Sequence, residues 1–227
     1  MSCKLWKQAW AADQIDFHQM QVNPLLQTYW PSLALPADAK VFVPLCGKSL
    51  DMAWLLSQHC RLVGVEISPI AVAAFFAAKH LVPQSSRQGK LTRWHTDQVD
   101  IFCGDYFDLG SAELADVTAV YDHAAMQAFG PKLRQRYVSH LANLLPPACP
   151  VLLLSTGYPE AGDAENSFVI DEEILALYQT RFSIELLHGE AGFETHAGHE
   201  QAEAQRTEEK VYLLRTKGRK QVSEQIA

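Results

Sequence analysis

Four short stretches of the chain carry side chains whose types and spacing could do chemistry. In Val41-Phe42-Val43-Pro44-Leu45-Cys46-Gly47-Lys48-Ser49, a β-branched run breaks at a single glycine before a helix-like segment. Gly47 lets backbone come close to a ligand, and the first amides of a following helix can hold a carboxylate. The second stretch, Val63-Gly64-Val65-Glu66, ends on an acid 19 residues beyond Gly47. In α/β nucleotide sites a carboxylate at that strand end accepts hydrogen bonds from two ribose hydroxyls. The third, Phe102-Cys103-Gly104-Asp105-Tyr106-Phe107-Asp108, offers Asp105 to an adenine amino group and Tyr106 to the flank of the ring, while Asp108 is as readily an ordinary loop acid. The fourth, Tyr121-Asp122-His123, presents a histidine that could donate a hydrogen bond, carry positive charge or take a proton, or that could simply close a hydrogen bond in the core.

Several familiar sites are excluded by what is missing. Gly47-Lys48-Ser49 invites a phosphate-loop reading, but that loop needs a glycine five positions before Gly47, where Phe42 stands. The dinucleotide fingerprint needs three glycines in one turn, and Gly47 is alone, so NAD and FAD are not expected. His196 and His199, with Glu194 and Glu200 nearby, do not meet the His-Glu-x-x-His pattern, because position 203 is Glu203. They read as a polar loop, and no metal is expected. A nucleoside without a pyrophosphate fits the four stretches best.

An open parallel sheet would position them, because ligands in such sheets bind beyond the carboxyl ends of the strands. Short β-rich runs alternate with helix-like stretches after about residue 40, the rhythm of an α/β fold. Strands are expected at Lys40–Leu45, Arg61–Ile67, Val99–Cys103, Val117–Asp122, Val151–Ser155, Phe182–His188 and Lys210–Arg215. Helices fit at Leu50–Gln58, Pro69–His80, Pro131–Leu144 and Asp171–Arg181, the last with an acidic first turn. Helical crossovers imply parallel pairing for most of this seven-stranded sheet, whereas the polar Gly189–Glu209 connection lets the last two strands pair antiparallel at one edge. Before the sheet, Trp6 and Trp10 share a face if their segment is helical, so residues 1–39 read as a cover. The tail at 218–227 is expected to fray, and the whole of 1–227 is expected to form one domain.

Composition agrees. Of 227 residues, 48% are hydrophobic and 20% charged, enough for a real core and unlike a disordered acidic chain. With 19 Lys+Arg against 26 Asp+Glu the formal charge is −7, which gives no field to hold a nucleic-acid backbone. No apolar run approaches the ~20 residues that cross a bilayer, and the first residues lack a signal core, so a cytoplasmic monomer acting on a small molecule is expected. Five cysteines, odd in number and without a Cys-x-x-Cys pair, read as reduced thiols.

Val43-Pro44-Leu45-Cys46-Gly47-Lys48-Ser49-Leu50-Asp51-Met52-Ala53-Trp54-Leu55, followed by Val63-Gly64-Val65-Glu66, resembles the thiopurine S-methyltransferases, and bacterial members most. The resemblance continues through Phe17-His18-Gln19, Val22-Asn23-Pro24-Leu25-Leu26, Cys103-Gly104-Asp105-Tyr106-Phe107, Tyr121-Asp122 and Glu208-Glu209-Lys210-Val211-Tyr212-Leu213-Leu214, nearly the whole chain. It implies a Rossmann-like class I methyltransferase fold that uses S-adenosyl-L-methionine, leaves S-adenosyl-L-homocysteine, and methylates the sulfur of aromatic or heterocyclic thiols. It implies cofactor contacts at Trp10, Leu45 and Glu66, the adenine-side turn at Asp105 and Tyr106, and a cover closing through Phe17 over cofactor and substrate.

Two places depart from the family pattern. His123 stands where an arginine of the binding site is usual, exchanging a permanently charged fork for a titratable ring that could touch cofactor or substrate. Glu165-Asn166-Ser167-Phe168 replaces a usual Gly-Pro-Pro-Phe run. Alternatives of the same architecture are a methyltransferase for selenium, tellurium or small thiol species, and a nucleoside-binding module without turnover. For methyl transfer itself, collinear alignment of the two sulfurs and the methyl carbon is most of the work, and a dry aromatic cover favours the cancellation of thiolate and sulfonium charge.

Overall fold

The computed structural model describes residues 3–15, 18–157, 171–194 and 205–217. Phe17, the Glu165–Phe168 departure, His196, His199, Glu200 and the tail from Gly218 lie outside the described residues, as does the side chain of Glu194.

In chain order the main elements are α1 (Cys3–Ala11), α2 (Pro24–Tyr29), β1 (Lys40–Pro44), α3 (Leu50–Ser57), β2 (Arg61–Glu66), α4 (Pro69–Ala78), β3 (Gln84–Gln88), β4 (Leu91–His95), β5 (Val99–Cys103), β6 (Ala119–His123), α5 (Pro131–Leu144), β7 (Pro150–Gly157), α6 (Asp171–Tyr178), β8 (Phe182–Glu194) and β9 (Gln205–Thr216). The strands form one sheet in the order β3-β4-β5-β2-β1-β6-β7-β9-β8. Its centre, β5-β2-β1-β6-β7, is parallel, as helical crossovers require.

Alternation along the central strands shows why this sheet is buried on both faces. Phe42, Val63, Val65, Val120, Val151 and Leu153 point into a core under α5 and α6. Their neighbours Val41, Val43, Leu62, Ala119, Leu152 and Leu154 point into a second core with α2, α3 and α4. Successive residues on a strand face opposite ways, so a nearly continuous apolar run serves both layers.

Two expectations need correction. Among the described residues the sheet has nine strands instead of seven, because residues 84–95 form a hairpin, β3-β4, added antiparallel beyond β5. The last two strands do pair antiparallel at one edge, with β9 between β7 and β8, but both run further into the polar connection than Phe182–His188 and Lys210–Arg215. Backbone ladders satisfy the amides of that polar sequence.

Helix starts are fixed locally. Asn23 accepts from the amides of Leu25 and Leu26 ahead of Pro24, Ser49 accepts from Asp51, and Ser68 accepts from Ala71 ahead of Pro69. Each pairs a capping oxygen with otherwise unsatisfied amides, and two place proline in the first turn.

Candidate active site

The turns that leave β1, β2, β5 and β6 gather at one end of the sheet. Glu66, the last residue of β2, is 4% exposed. Its Oε2 accepts from the Gly47 amide at 3.0 Å, and its Oε1 accepts from the Ser68 amide at 2.8 Å. One carboxylate therefore ties the turn after β1 to the turn after β2. Burial pushes its pKa up, opposed by the amides of Ser68, Gly47 and Ile67. The Gly47 and Ser68 amides, the two that bond it at hydrogen-bond geometry among the described residues, each take one of a carboxylate's roughly four lone-pair sites, which leaves each oxygen capacity for one further donor.

The first turn is built for close approach. Leu45 and Gly47 both have positive φ, 48° and 53°. A Cβ on Gly47 would lie 3.4 Å from Cζ2 of the Trp10 indole, and the Lys48 ammonium sits 5.9 Å from that ring. Trp10, buried on α1, thus lies on the lone-glycine turn.

At the opposite end of α1, Cys3 Sγ lies 3.6 Å from Asp105 Oδ2 in the turn after β5. β5 and β1 flank β2 on either side, about 10 Å apart, and the rise from Cys3 to Trp10 is also about 10 Å. α1 consequently spans the two turns that border Glu66. Burial and Lys48 hold His18, just beyond α1, below the usual histidine range.

Asp105 caps a short 3-10 turn, with Oδ1 accepting from the Phe107 amide at 3.0 Å. Tyr106 departs from its expected place. Its ring is 2% exposed and packs among Phe107, Phe129, Tyr137 and His140, with its hydroxyl donating to the Tyr137 carbonyl. The cap that fixes Asp105 at the mouth turns the next side chain into the core.

After β6 the chain bends through Ala124, at φ 54°, and His123 keeps 23% of its side chain exposed. His123 Nδ1 is 3.3 Å from Oδ2 of Asp51 on α3. That same oxygen accepts from the Tyr121 hydroxyl at 2.7 Å, while Asp51 Oδ1 accepts from the Asn23 amide at 2.8 Å. Burial alone would raise the Asp51 pKa, but His123, the Asn23 amide and the Tyr121 hydroxyl together hold it below the usual carboxylate range. Between Tyr121 and His123, Asp122 faces the other core, accepting from the Ala125 amide and the Tyr137 hydroxyl, and burial pushes it up to about 6.

The structure therefore brings Trp10, Leu45, Gly47, Glu66, Asp105 and His123 to one end of the sheet and sends Tyr106 elsewhere. Sequence reasoning missed Asp51 as the residue that holds His123. The available signal was the pair Tyr121 and His123, two apart on a strand and hence on one face. A separate polar cleft of about 330 Å³ is lined by Lys40, Arg93, Asp100, Glu113, Asp116 and neighbours, none from these turns. Its cations are already paired, Lys40 with Asp116 and Arg93 with Asp100. Among the described residues no cluster could hold a metal ion, and no helix is long and apolar enough to cross a membrane.

Comparison with known proteins places this geometry. The chain is similar over most of its length to S-adenosylmethionine-dependent methyltransferase structures, among them one from Anabaena variabilis (TM-score 0.63, 12% identity, 95% of each chain covered). Another is N-methyltransferase NodS from Bradyrhizobium japonicum in complex with S-adenosyl-l-homocysteine (TM-score 0.62, 11% identity, 93% of this chain and 98% of that one). At such identities the likeness shows the fold. Relatives named thiopurine S-methyltransferase are much nearer in sequence. The protein from Stutzerimonas stutzeri is 45% identical over 210 residues, covering 92% of this chain and 88% of the relative, and that from Pseudomonas fluorescens Pf0-1 is 41% identical over 216 residues, covering 95% and 99%. With residues 1–217 also matching the family Thiopurine S-methyltransferase (TPMT) as a whole, the chain belongs to that family.

Proposed function

We propose that the protein transfers a methyl group from S-adenosyl-L-methionine to the sulfur of an aromatic or heterocyclic thiol, of which thiopurines are the type. The observation that carries this reading is Glu66. A buried carboxylate bridging two turns by one amide on each oxygen, with one acceptor site left on each, suits the paired hydroxyls of a ribose.

The other residues fit the same ligand. The Gly47 turn offers backbone at close range, with Trp10 lying over it, a suitable seat for an amino-acid carboxylate. Asp105, at the mouth of the turn after β5, has an oxygen for the adenine amino group. Leu45 flanks the same opening. The bound donor supplies an electrophilic methyl group on a sulfonium. The chain's part is to hold the acceptor sulfur in line with it, exclude water beneath α1, and keep His123 where it can touch the acceptor. Acidic heteroaromatic thiols are ionised near neutral pH and need no strong base. Within this reading the protein works as a cytoplasmic monomer, and its net charge of −7 argues against nucleic acid as the acceptor.

The test is incubation with methyl-labelled S-adenosyl-L-methionine and a thiopurine. Label in an S-methyl product is expected; absence of both label transfer and S-adenosyl-L-homocysteine binding would rule the function out.

A further inference from the structure

We infer that Asp51 and His123 form a proton-accepting dyad that extends the reaction to thiols not ionised at the working pH, His123 being the base and Asp51 its positioning residue. The inference rests on the sulfur-methylating function proposed above and concerns which acceptors it reaches.

The geometry leads there from the carboxylate outward. Asp51 is 1% exposed, and its ionised form only accepts. The His123 nitrogen 3.3 Å from Oδ2 must then be the one bearing hydrogen, Nδ1–H. In the neutral ring this leaves the lone pair on Nε2, which has no hydrogen-bond partner among the described residues. Tyr121, on the same strand as His123, and Asn23, from the segment before α2, also hold the carboxylate, so its orientation does not depend on the His123 contact alone. A base, an acceptor-only group fixing its tautomer, and a bare second nitrogen on a partly exposed ring are the elements of general-base catalysis. Such contacts are often long before ligands bind and tighten in the complex. An arginine at this position would offer donors alone. Histidine can also accept.

Among the described residues, the charged or titratable groups near the ring are Asp51 from α3 and Tyr121 and Asp122 from its own strand; Asn23, from the segment before α2, is uncharged. In the proposed step the acceptor's S–H bond breaks, the electron pair stays on sulfur, and the proton passes to Nε2. As that sulfur bonds the methyl carbon, the sulfonium C–S bond breaks with its pair going to the donor sulfur. The proton then leaves His123 for water. Net, a neutral thiol and a sulfonium give two thioethers and one proton.

The experiment compares wild type, His123→Gln and Asp51→Asn on a series of arylthiols whose solution pKa values run from below to well above the assay pH. The expected loss in kcat/KM is less than about tenfold for thiols already ionised and rises to about 100-fold or more for the least acidic members. In a second readout without turnover, the ultraviolet absorbance of the same arylthiols is titrated on the S-adenosyl-L-homocysteine complex. Their bound pKa should be higher in both variants than in wild type. Should Asp51→Asn fail to fold, His123→Gln carries the comparison, since it leaves the Asn23 and Tyr121 bonds to Asp51 in place. Equal losses across the series with unchanged bound pKa values overturn the dyad alone. Wild type methylating no thiol in the series overturns the function on which it rests.

Discussion

Replacing Glu66 probes the site with the fewest confounding changes. Each carboxylate oxygen accepts one backbone amide and retains one acceptor site. Hydrogen bonds to a charged group contribute about 1.5–3 kcal/mol each, so two ribose hydroxyls bring about 3–6 kcal/mol to binding. Glu66→Ala removes both, and the dissociation constant for S-adenosyl-L-homocysteine should rise roughly 10²- to 10⁴-fold. It also leaves the half-buried Gly47 amide and the buried Ser68 amide unpaired, at up to about 1–3 kcal/mol each, so its thermal midpoint should fall. Glu66→Gln is the cleaner probe. The amide keeps one acceptor oxygen and presents N–H groups at the other, so one ribose contact is lost and the expected weakening is roughly 10- to 100-fold. Isothermal titration calorimetry on variants whose far-ultraviolet circular dichroism matches wild type gives the values. Binding by both variants within about threefold of wild type would refute the ribose assignment.

Two further predictions concern the scaffold. Gly64 in β2 is packed so tightly that an added Cβ would lie 2.7 Å from Cys46 Sγ, so Gly64→Ala should destabilise by about 1–3 kcal/mol in urea unfolding; an unchanged midpoint would contradict the packing. Asp122 is pushed from 3.8 up to about 6 by burial, so the native state binds its proton more tightly than the unfolded chain does. Its stabilising contribution is therefore fully present below the unfolded value and is lost as pH rises through about 6, on the order of 3 kcal/mol in all. Subtracting the unfolding free energy of Asp122→Asn from that of wild type should give a difference that falls between pH 4 and pH 7. A flat difference would show that the carboxyl is not so perturbed.

What could be read from the residues follows from how local each signal is. The turn at Gly47 and the acid at Glu66 are written in a few adjacent residues, a β-branched run followed by a breaker, and their meeting requires only parallel neighbouring strands. The hairpin at the far edge is different. β3 reads Gln-Ser-Ser-Arg-Gln with every residue exposed, so it has no apolar alternation to announce it. Its one sign is the two-residue loop at Gly89-Lys90, where Gly89 has φ 58°. Tyr106 shows a further limit: the sequence places it in the correct turn, but the Asp105 cap decides which way its ring faces. The Asp51 network joins residues 70 apart through side chains alone, and no local pattern encodes such a meeting.

The most direct test of the whole account is a crystal structure of the protein with S-adenosyl-L-homocysteine. The two ribose hydroxyls should lie within hydrogen-bond distance of the Glu66 carboxylate, with the adenine toward Asp105 and the amino-acid end on the Gly47 turn. A ribose lodged away from Glu66 would contradict it.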